Sequence, residues 1–441
     1  MANAFIQFPK GFLWGTATAA HQVEGSNTNN NWAQWEALPG KIKNGDKAGL
    51  ACDWWGGRWK EDLDRAAQAG QNTHRFSIEW SRIQPSPDAW DESAVAYYRE
   101  MIAGMHQCGL KPMLTLHHFS DPIWIMDLGG WENPQTPVLF AKFAEKVSAA
   151  LMDLVQDWVT INEPNVYVYS GYLTGDFPPG KKDLKAAMTV MQNLALGHAL
   201  AYHAVHANQP GASVGLAINY RSFQPAGASP LDAWAARNQS TLFNDMFARV
   251  AVDGKLGLPF KTVSIPQAAN TQDFIGLNYY TRDQVAFDIT RPGQFFGRNY
   301  FREGAERSET GFIANEPRGF REGLKWAVGF GKPVYITENG VEDSKDALRP
   351  RYLAQHIHQL WHYVNFNSAI KGYYHWSLID NFEWERGWSQ RFGLWGLDIA
   401  TQQRTKRRSA DFYREICSQN GLNTAMLQSY CPEVIQDIFP D

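Results

Sequence analysis

The sequence predicts an α/β fold, a single (β/α)8 TIM barrel with long loops roofing one end of the strands, over residues 1–441 as one domain. Three observations carry this. Eight short, apolar, strand-like runs alternate with helix-like stretches, the pattern of buried parallel strands joined by crossover helices. Nearly every run ends on a residue suited to chemistry: Arg75, His118, Asn162 and Glu163, Asn219, Asn278, Glu338 and Trp376. In such barrels functional groups gather at the C-terminal ends of the strands. Long insertions also follow strands, at residues 21–57, 164–183 and 279–310, as loops that build a cleft would.

The strands are expected at residues 11–18, 72–78, 111–118, 157–163, 213–219, 273–278, 333–340 and 372–377. Each is rich in β-branched, aromatic or aliphatic residues. Helices are expected between them. Residues 61–69 stop at Gly70, and Asp91 caps a helix that runs to about Gln107, before Gly109. Helical patterns follow at 140–155, 184–208, 231–252, 319–329 and 352–365. The insertion at 279–310 reads as loop around its Arg291-Pro292-Gly293 stretch.

Composition narrows the function. A chain of 441 residues would often divide, but α/β barrels run long as one domain. A net charge of -4 excludes an expectation of nucleic-acid or membrane-surface partners. The five-residue basic cluster at 404–408 is expected to be a solvated face. Four scattered cysteines with no Cys-x-x-Cys pair argue against a zinc site or a disulfide framework, and no metal or cofactor is expected. No leader-like start and no membrane-spanning run are seen, so a cytoplasmic protein is expected. The 18 Trp and 17 Tyr residues supply core, and also flat apolar faces of the kind on which a pyranose ring stacks.

Two carboxylates stand out. The run Val334-Tyr335-Ile336-Thr337 stops at Glu338, with Asn339-Gly340 expected to turn the chain at once. A carboxylate at the end of a buried strand needs partners. Its counterpart is Thr160-Ile161-Asn162-Glu163-Pro164, where Pro164 favours an extended Glu163. Two carboxylates facing one site are the minimum machinery for glycoside hydrolysis, with retention or inversion left open by the residues alone. Arg75 is expected to pair with Glu338, lowering its pKa and keeping it ionised, while Glu163 is expected to titrate high. His117 is expected to point away from the cleft, because side chains alternate along a strand.

Read together, Thr-x-Asn-Glu-Pro at 160–164, Ile-Thr-Glu-Asn-Gly at 336–340 and Trp-Ser-Leu-Ile-Asp-Asn-Phe-Glu-Trp at 376–384 make the chain resemble a family 1 glycoside hydrolase, the retaining β-glucosidase family. The likeness runs from residue 12 to residue 394. It implies that Glu338 is the nucleophile and Glu163 the acid/base, with Asn278 and Tyr280 supporting Glu338. It implies that Asn162 binds the sugar 2-hydroxyl. Gln22, His118, Glu383, Trp384 and Phe392 would hold the sugar and Trp376 would be its stacking platform; the bare residues equally allow a core His118 and buried tryptophans. The implied activity is exo-β-glycosidase, foremost β-glucosidase with β-galactosidase or β-fucosidase activity. Substrates would be small β-glycosides or short β-linked oligosaccharides, as in cellulose degradation. Glu383 implies unphosphorylated sugars, since a carboxylate would repel a 6-phosphate. Phe312 lies in a stretch where many relatives carry a Trp, which implies weaker stacking on the leaving-group side. A transglycosylase using the same intermediate is the alternative; a non-catalytic sugar-binding barrel fits less well, as both carboxylates are present. A homo-oligomer is compatible with the sequence.

Overall fold

The computed structural model describes residues 4–365 and 369–440. Among them, eight parallel strands close into a barrel: β1 Leu13–Ala17, β2 Thr73–Ser77, β3 Lys111–His117, β4 Asp157–Asn162, β5 Ser213–Pro225, β6 Phe274–Phe287, β7 Val334–Asn339 and β8 Ile370–Trp376. Each strand pairs with its chain neighbour, and β8 returns to β1. Every residue of β2, β4 and β7 is buried, as a sheet covered on both faces requires.

The outer layer is α1 Trp59–Gln68, α2 Glu92–Gln107, α3 Thr136–Leu151, α4 Leu184–Asn208, α5 Pro230–Ser240, α6 Pro317–Val328, α7 Arg349–Val364 and α8 Arg408–Gln419. Asp91 caps α2 by accepting from the backbone N–H groups of Ser93 and Ala94, as its sequence position predicts. The helix expected over 231–252 is present from Pro230 to Asp253, with one widened turn, Thr241–Asp245, between α5 and its continuation Met246–Asp253. The Asn244 side chain explains the widening: it accepts from Arg221 N and donates to Arg221 O, both at 2.9 Å, and so draws that turn onto β5.

Three expectations need correcting. The loop expected from residue 279 is strand as far as Phe287. There β6 continues beside β5 and folds back antiparallel onto Gly297–Tyr300, which supplies the missing backbone partners. The basic cluster at 404–408 is not simply solvated. Arg404 is buried against Asp62 at 3.0 Å and Arg407 holds Asp380 at 2.8 Å, because buried carboxylates at these depths need cations. Third, Gly340 does not take a left-handed turn. An added Cβ would lie 1.9 Å from the Trp376 carbonyl oxygen, so close approach of β7 to β8 is what requires glycine there.

Candidate active site

At the C-terminal end of the barrel a cleft of about 450 Å³ opens, with Glu163 and Glu338 in its wall. Both carboxylates are almost fully buried. Glu338 stands at the penultimate position of β7. Its Oε1 accepts from Arg75 Nη1 at 2.7 Å and its Oε2 from the Tyr280 hydroxyl at 2.6 Å. Arg75 points up the barrel from β2. Its other nitrogens reach Asn162 Oδ1 at 2.6 Å and Thr115 Oγ1 at 3.2 Å, so its fork is fixed in place.

Glu163 lies just past β4 in left-handed geometry, φ 45° and ψ 55°, not the extended conformation expected from Pro164. Its N–H donates to Ala217 O on β5 at 2.7 Å, while Pro164 starts a short helix in the next position. The side chain is held by neutral amides: Glu163 Oε1 accepts from Asn278 Nδ2 at 2.7 Å and Asn219 Nδ2 at 2.9 Å. Asn278, expected to serve Glu338, opposes the rise in that carboxyl's pKa by hydrogen bonding and is also bonded to Glu163 and Asn162, and the Thr337 hydroxyl orients it from 2.6 Å. Asn219 was visible only as a strand-end residue. Its pairing with Glu163 depends on the register of β4 against β5, which no local motif carries.

The two carboxylates differ electrostatically. Burial, with the charge of Glu338 adding to it, pushes Glu163 up to about 8. Burial raises Glu338 also, against the Arg75 guanidinium and the Tyr280 hydrogen bond, which oppose it. The expected lowering by Arg75 is therefore present but outweighed by desolvation. Glu383 is raised by burial and by neighbouring Glu385, and His118 is lowered by burial and by Arg75.

The remaining predicted residues fall into two layers. His118, Trp376, Glu383, Trp384 and Phe392 line the cleft. The His118 ring stacks between Trp376 and Trp384 at 6.0 and 5.9 Å. Phe392 meets Tyr280 edge-on. Gln22, Arg75, Asn162 and Asn278 stand immediately behind the wall. Gln22 Nε2 donates to Phe382 O at 2.7 Å and Glu383 Oε2 at 3.2 Å, while Asn162 Nδ2 meets His118 Nε2 at 2.9 Å. Among these predicted sugar-side residues, the buried Gln22 Oε1 and His118 Nδ1 have no hydrogen-bond partner. His117 points away, bonded to Asp121 at 3.0 Å. Glu79 is a buried structural carboxylate bonded to Asn27, Asn30, Ser81 and Ser120, and Arg82 pairs with Glu24. Among the described residues no group of three or more His, Cys, Asp or Glu side chains is arranged to hold a metal ion.

An eight-stranded α/β barrel with a deep, aromatic-rimmed pocket around two unequal carboxylates is the form of a glycoside-cleaving enzyme. Comparison with known proteins gives the family. The model for glycosyl hydrolase family 1 matches residues 5–422. β-Glucosidase A of Thermotoga maritima is 32% identical over 449 residues, spanning 94% of this chain and 99% of that protein. A β-galactosidase of Pyrococcus woesei is 31% identical, spanning 94% and 98%. Among solved structures, a β-glycosidase from Pyrococcus horikoshii superposes with a TM-score of 0.91 at 36% identity, covering 98% of this chain and 100% of that one. The β-glucosidase of Thermotoga maritima in complex with glucoimidazole gives 0.88 at 31%, covering 94% and 100%. The chain belongs to glycosyl hydrolase family 1 and is a glycoside hydrolase of the β-glucosidase type.

Proposed function

We propose that this protein removes terminal, unphosphorylated β-D-glycosyl units, glucosyl first and galactosyl or fucosyl second, through a covalent intermediate on Glu338. Glu163 is the acid and then the base. The observation that carries this reading is the asymmetry of the pair. Glu338 is clamped by a guanidinium and a phenol on its two oxygens, whereas Glu163 is held by amides and titrates at about 8. In the first step Glu163 gives its proton to the glycosidic oxygen, the bond from that oxygen to C1 breaks, and a Glu338 oxygen bonds to C1. The leaving group departs as the free alcohol. Burial is the larger cause of the raised Glu163, and forming the ester removes the second, the charge of Glu338, so its pKa falls and it can accept a proton from water. Water oxygen bonds to C1, the ester breaks, and both carboxyls return to their starting states.

Supporting roles follow the same geometry. Arg75 and Tyr280 position Glu338, Asn278 orients Glu163, and Asn162 meets the 2-hydroxyl. Gln22, His118, Glu383, Trp384 and Phe392 receive the sugar and Trp376 is its platform; the unpartnered Gln22 Oε1 and His118 Nδ1 are atoms a sugar hydroxyl would satisfy. Action in the cytoplasm is part of this reading. All four cysteines are unpaired, as suits a reducing compartment, and no helix among the described residues is long and apolar enough to cross a membrane.

The test is Glu338→Ala. Hydrolysis of 4-nitrophenyl β-D-glucoside is expected to fall at least about 10⁴-fold, with azide partly restoring cleavage and giving the inverted α-glucosyl azide. Wild-type activity in that variant would overturn the assignment. Product analysis in the same assay separates hydrolysis from transfer to a second sugar.

A further inference from the structure

We infer that a second sugar site lies outside the cleft, in a groove on the flank of the barrel that takes a neutral pyranose. The groove runs between α6 and the helix Met246–Asp253, with a volume of about 640 Å³, the size of a small-molecule site. Both helices pack on β5. The side chains of that strand explain its place. Asn219 points into the barrel, where it holds Glu163 at 2.9 Å, so Tyr220 points outward and becomes the floor of the groove. α6 makes room for the Tyr220 ring with a glycine: a Cβ added at Gly323 would lie 2.9 Å from Tyr220 Cδ1. The site stands whether or not Glu338 is the nucleophile.

The floor is aromatic with one open polar group. The Tyr220 and Trp326 rings lie 5.2 Å apart, tilted by 38°, and Phe330 meets Trp326 edge-on at 5.2 Å. Trp326 Nε1 donates to Asp245 Oδ1 at 2.9 Å, which pins the indole across the groove. Tyr220 is only 9% exposed, and its hydroxyl has no hydrogen-bond partner among the described residues. A buried phenol ordinarily finds one, so an open hydroxyl in a groove floor marks a place for a polar ligand.

The rim is polar and balanced in charge. Glu322 Oε2 accepts from the Ser222 hydroxyl and from Gln224 Nε2, the latter at 2.7 Å, and Glu322 Oε1 has no partner among the described residues. Arg249 touches Asp245 through Nε at 3.5 Å, which leaves its two terminal nitrogens open. Lys325 is exposed and makes no ion pair among the described residues. Asp253 is the other carboxylate, capping Lys255 N with Oδ1 at 2.8 Å. Two cations thus face two carboxylates, so a net charge on the ligand gains nothing. An apolar ligand would cover the Tyr220 hydroxyl and Glu322 Oε1 without pairing them, which is costly. A pyranose answers both demands. Its flat C–H face lies on the aromatic floor, and its hydroxyls donate to Glu322 and accept from Tyr220, Arg249 and Lys325.

The experiment follows Trp326 itself. In the full chain labelled with 5-fluorotryptophan, the fluorine resonance absent from Trp326→Phe belongs to that residue. Adding D-glucose is expected to move it along a saturable curve. D-Sorbitol, which has the hydroxyls but no ring, is expected to leave it in place. A variant carrying both Arg249→Ala and Lys325→Ala, at exposed positions where folding is insensitive, is expected to raise the half-saturating glucose concentration at least about threefold. Tyr220→Phe, which removes only the hydroxyl, is expected to do the same, and a rise in either variant supports the groove. These variants separate the groove from the cleft, since glucose entering beside Glu338 would move the resonance equally in all of them. No shift with glucose, an equal shift with sorbitol, or one half-saturation shared by wild type and both variants overturns the inference. Each of those results leaves the proposed function standing, because that is tested on 4-nitrophenyl β-D-glucoside.

Discussion

Glu163 combines backbone strain with a displaced proton affinity. A non-glycine residue at φ 45° costs about 1–3 kcal/mol, and here the Ala217 hydrogen bond and the Pro164 helix start hold it. The strain directs its carboxyl at Asn278 and Asn219 in the cleft. Unfolded, that carboxyl titrates near 4.5; folded, near 8. The fold therefore favours the protonated form, and this contribution is complete below about 4.5 and lost as pH rises through about 8. Glu163→Gln, which stays neutral, is expected to raise Tm by a few degrees at about pH 9 and to change it little at about pH 4. Calorimetry at the two pH values checks this, and an equal shift at both would contradict it. In the wild type the basic limb of kcat/KM should fall near 8, set by the same proton. Glu163→Ala should slow poor alkyl leaving groups by at least about 100-fold more than 2,4-dinitrophenyl in the glycosylation step, since only the former need the acid. Equal losses would remove it from that role. The identity of both carboxylates was legible because each ends an apolar run inside a specific motif. The amide partners of Glu163 were not, since Asn219 and Asn278 reach it across strand registers that sequence periodicity leaves unspecified.

At the scale of the element, β7 shows how a correct strand can be read for the wrong reason. Its apolar run and its Glu338 were evident, but Asn339-Gly340 was read as a turn. Asn339 is instead the last residue of the strand, donating to Tyr279 O at 2.7 Å and accepting from the Tyr373 hydroxyl at 2.8 Å. It ties β7 to β6 and β8 on either side of Glu338. Gly340 lets the Trp376 carbonyl approach, where a methyl group would overlap it. Gly340→Ala is therefore expected to push the ends of β7 and β8 apart and move Glu338 relative to Arg75 and Trp376. A displacement near 1 Å costs about 100-fold in the chemical step, so kcat should fall at least about tenfold with Tm lowered as well. Steady-state kinetics beside a thermal melt would reveal this; unchanged kcat would mean that the strand ends absorb the methyl group. The outward extensions of β5 and β6 escaped sequence reading for a related reason. Their residues alternate in burial, but only the neighbouring strand and the Gly297–Tyr300 hairpin supply the backbone partners that make them strand.

Over the whole molecule, the question is whether the segment after the barrel is an appendage. Phe5–Gln7 pairs with Gly421–Asn423, so the two ends of the chain form one small sheet. Tyr413 on α8 donates to Gly15 O of β1 at 2.7 Å. Arg404 crosses back to the start of the barrel, where Asp62 on α1 also holds Arg65 at 2.7 Å and Trp54 Nε1 at 2.8 Å. Arg404 and Asp62 are each 1% exposed, so removing the guanidinium leaves a buried carboxylate short of charge. Such a loss costs about 3–5 kcal/mol when no partner remains, and Arg65 and Trp54 reduce it here. Arg404→Met is thus expected to cost about 2–3 kcal/mol, and pairing it with Asp62→Asn should recover part of that, because the unpaired charge goes too. If residues 1–441 form one domain, the variant lowers the temperature of heat inactivation of glucoside hydrolysis together with the loss of helical circular dichroism. A C-terminal segment that folds on its own would melt early in Arg404→Met while activity persisted to the wild-type temperature. The ladder between the chain ends and the Arg404–Asp62 pair favour the single transition, since unfolding either end exposes the same buried carboxylate and opens β1, the strand that closes the barrel against β8.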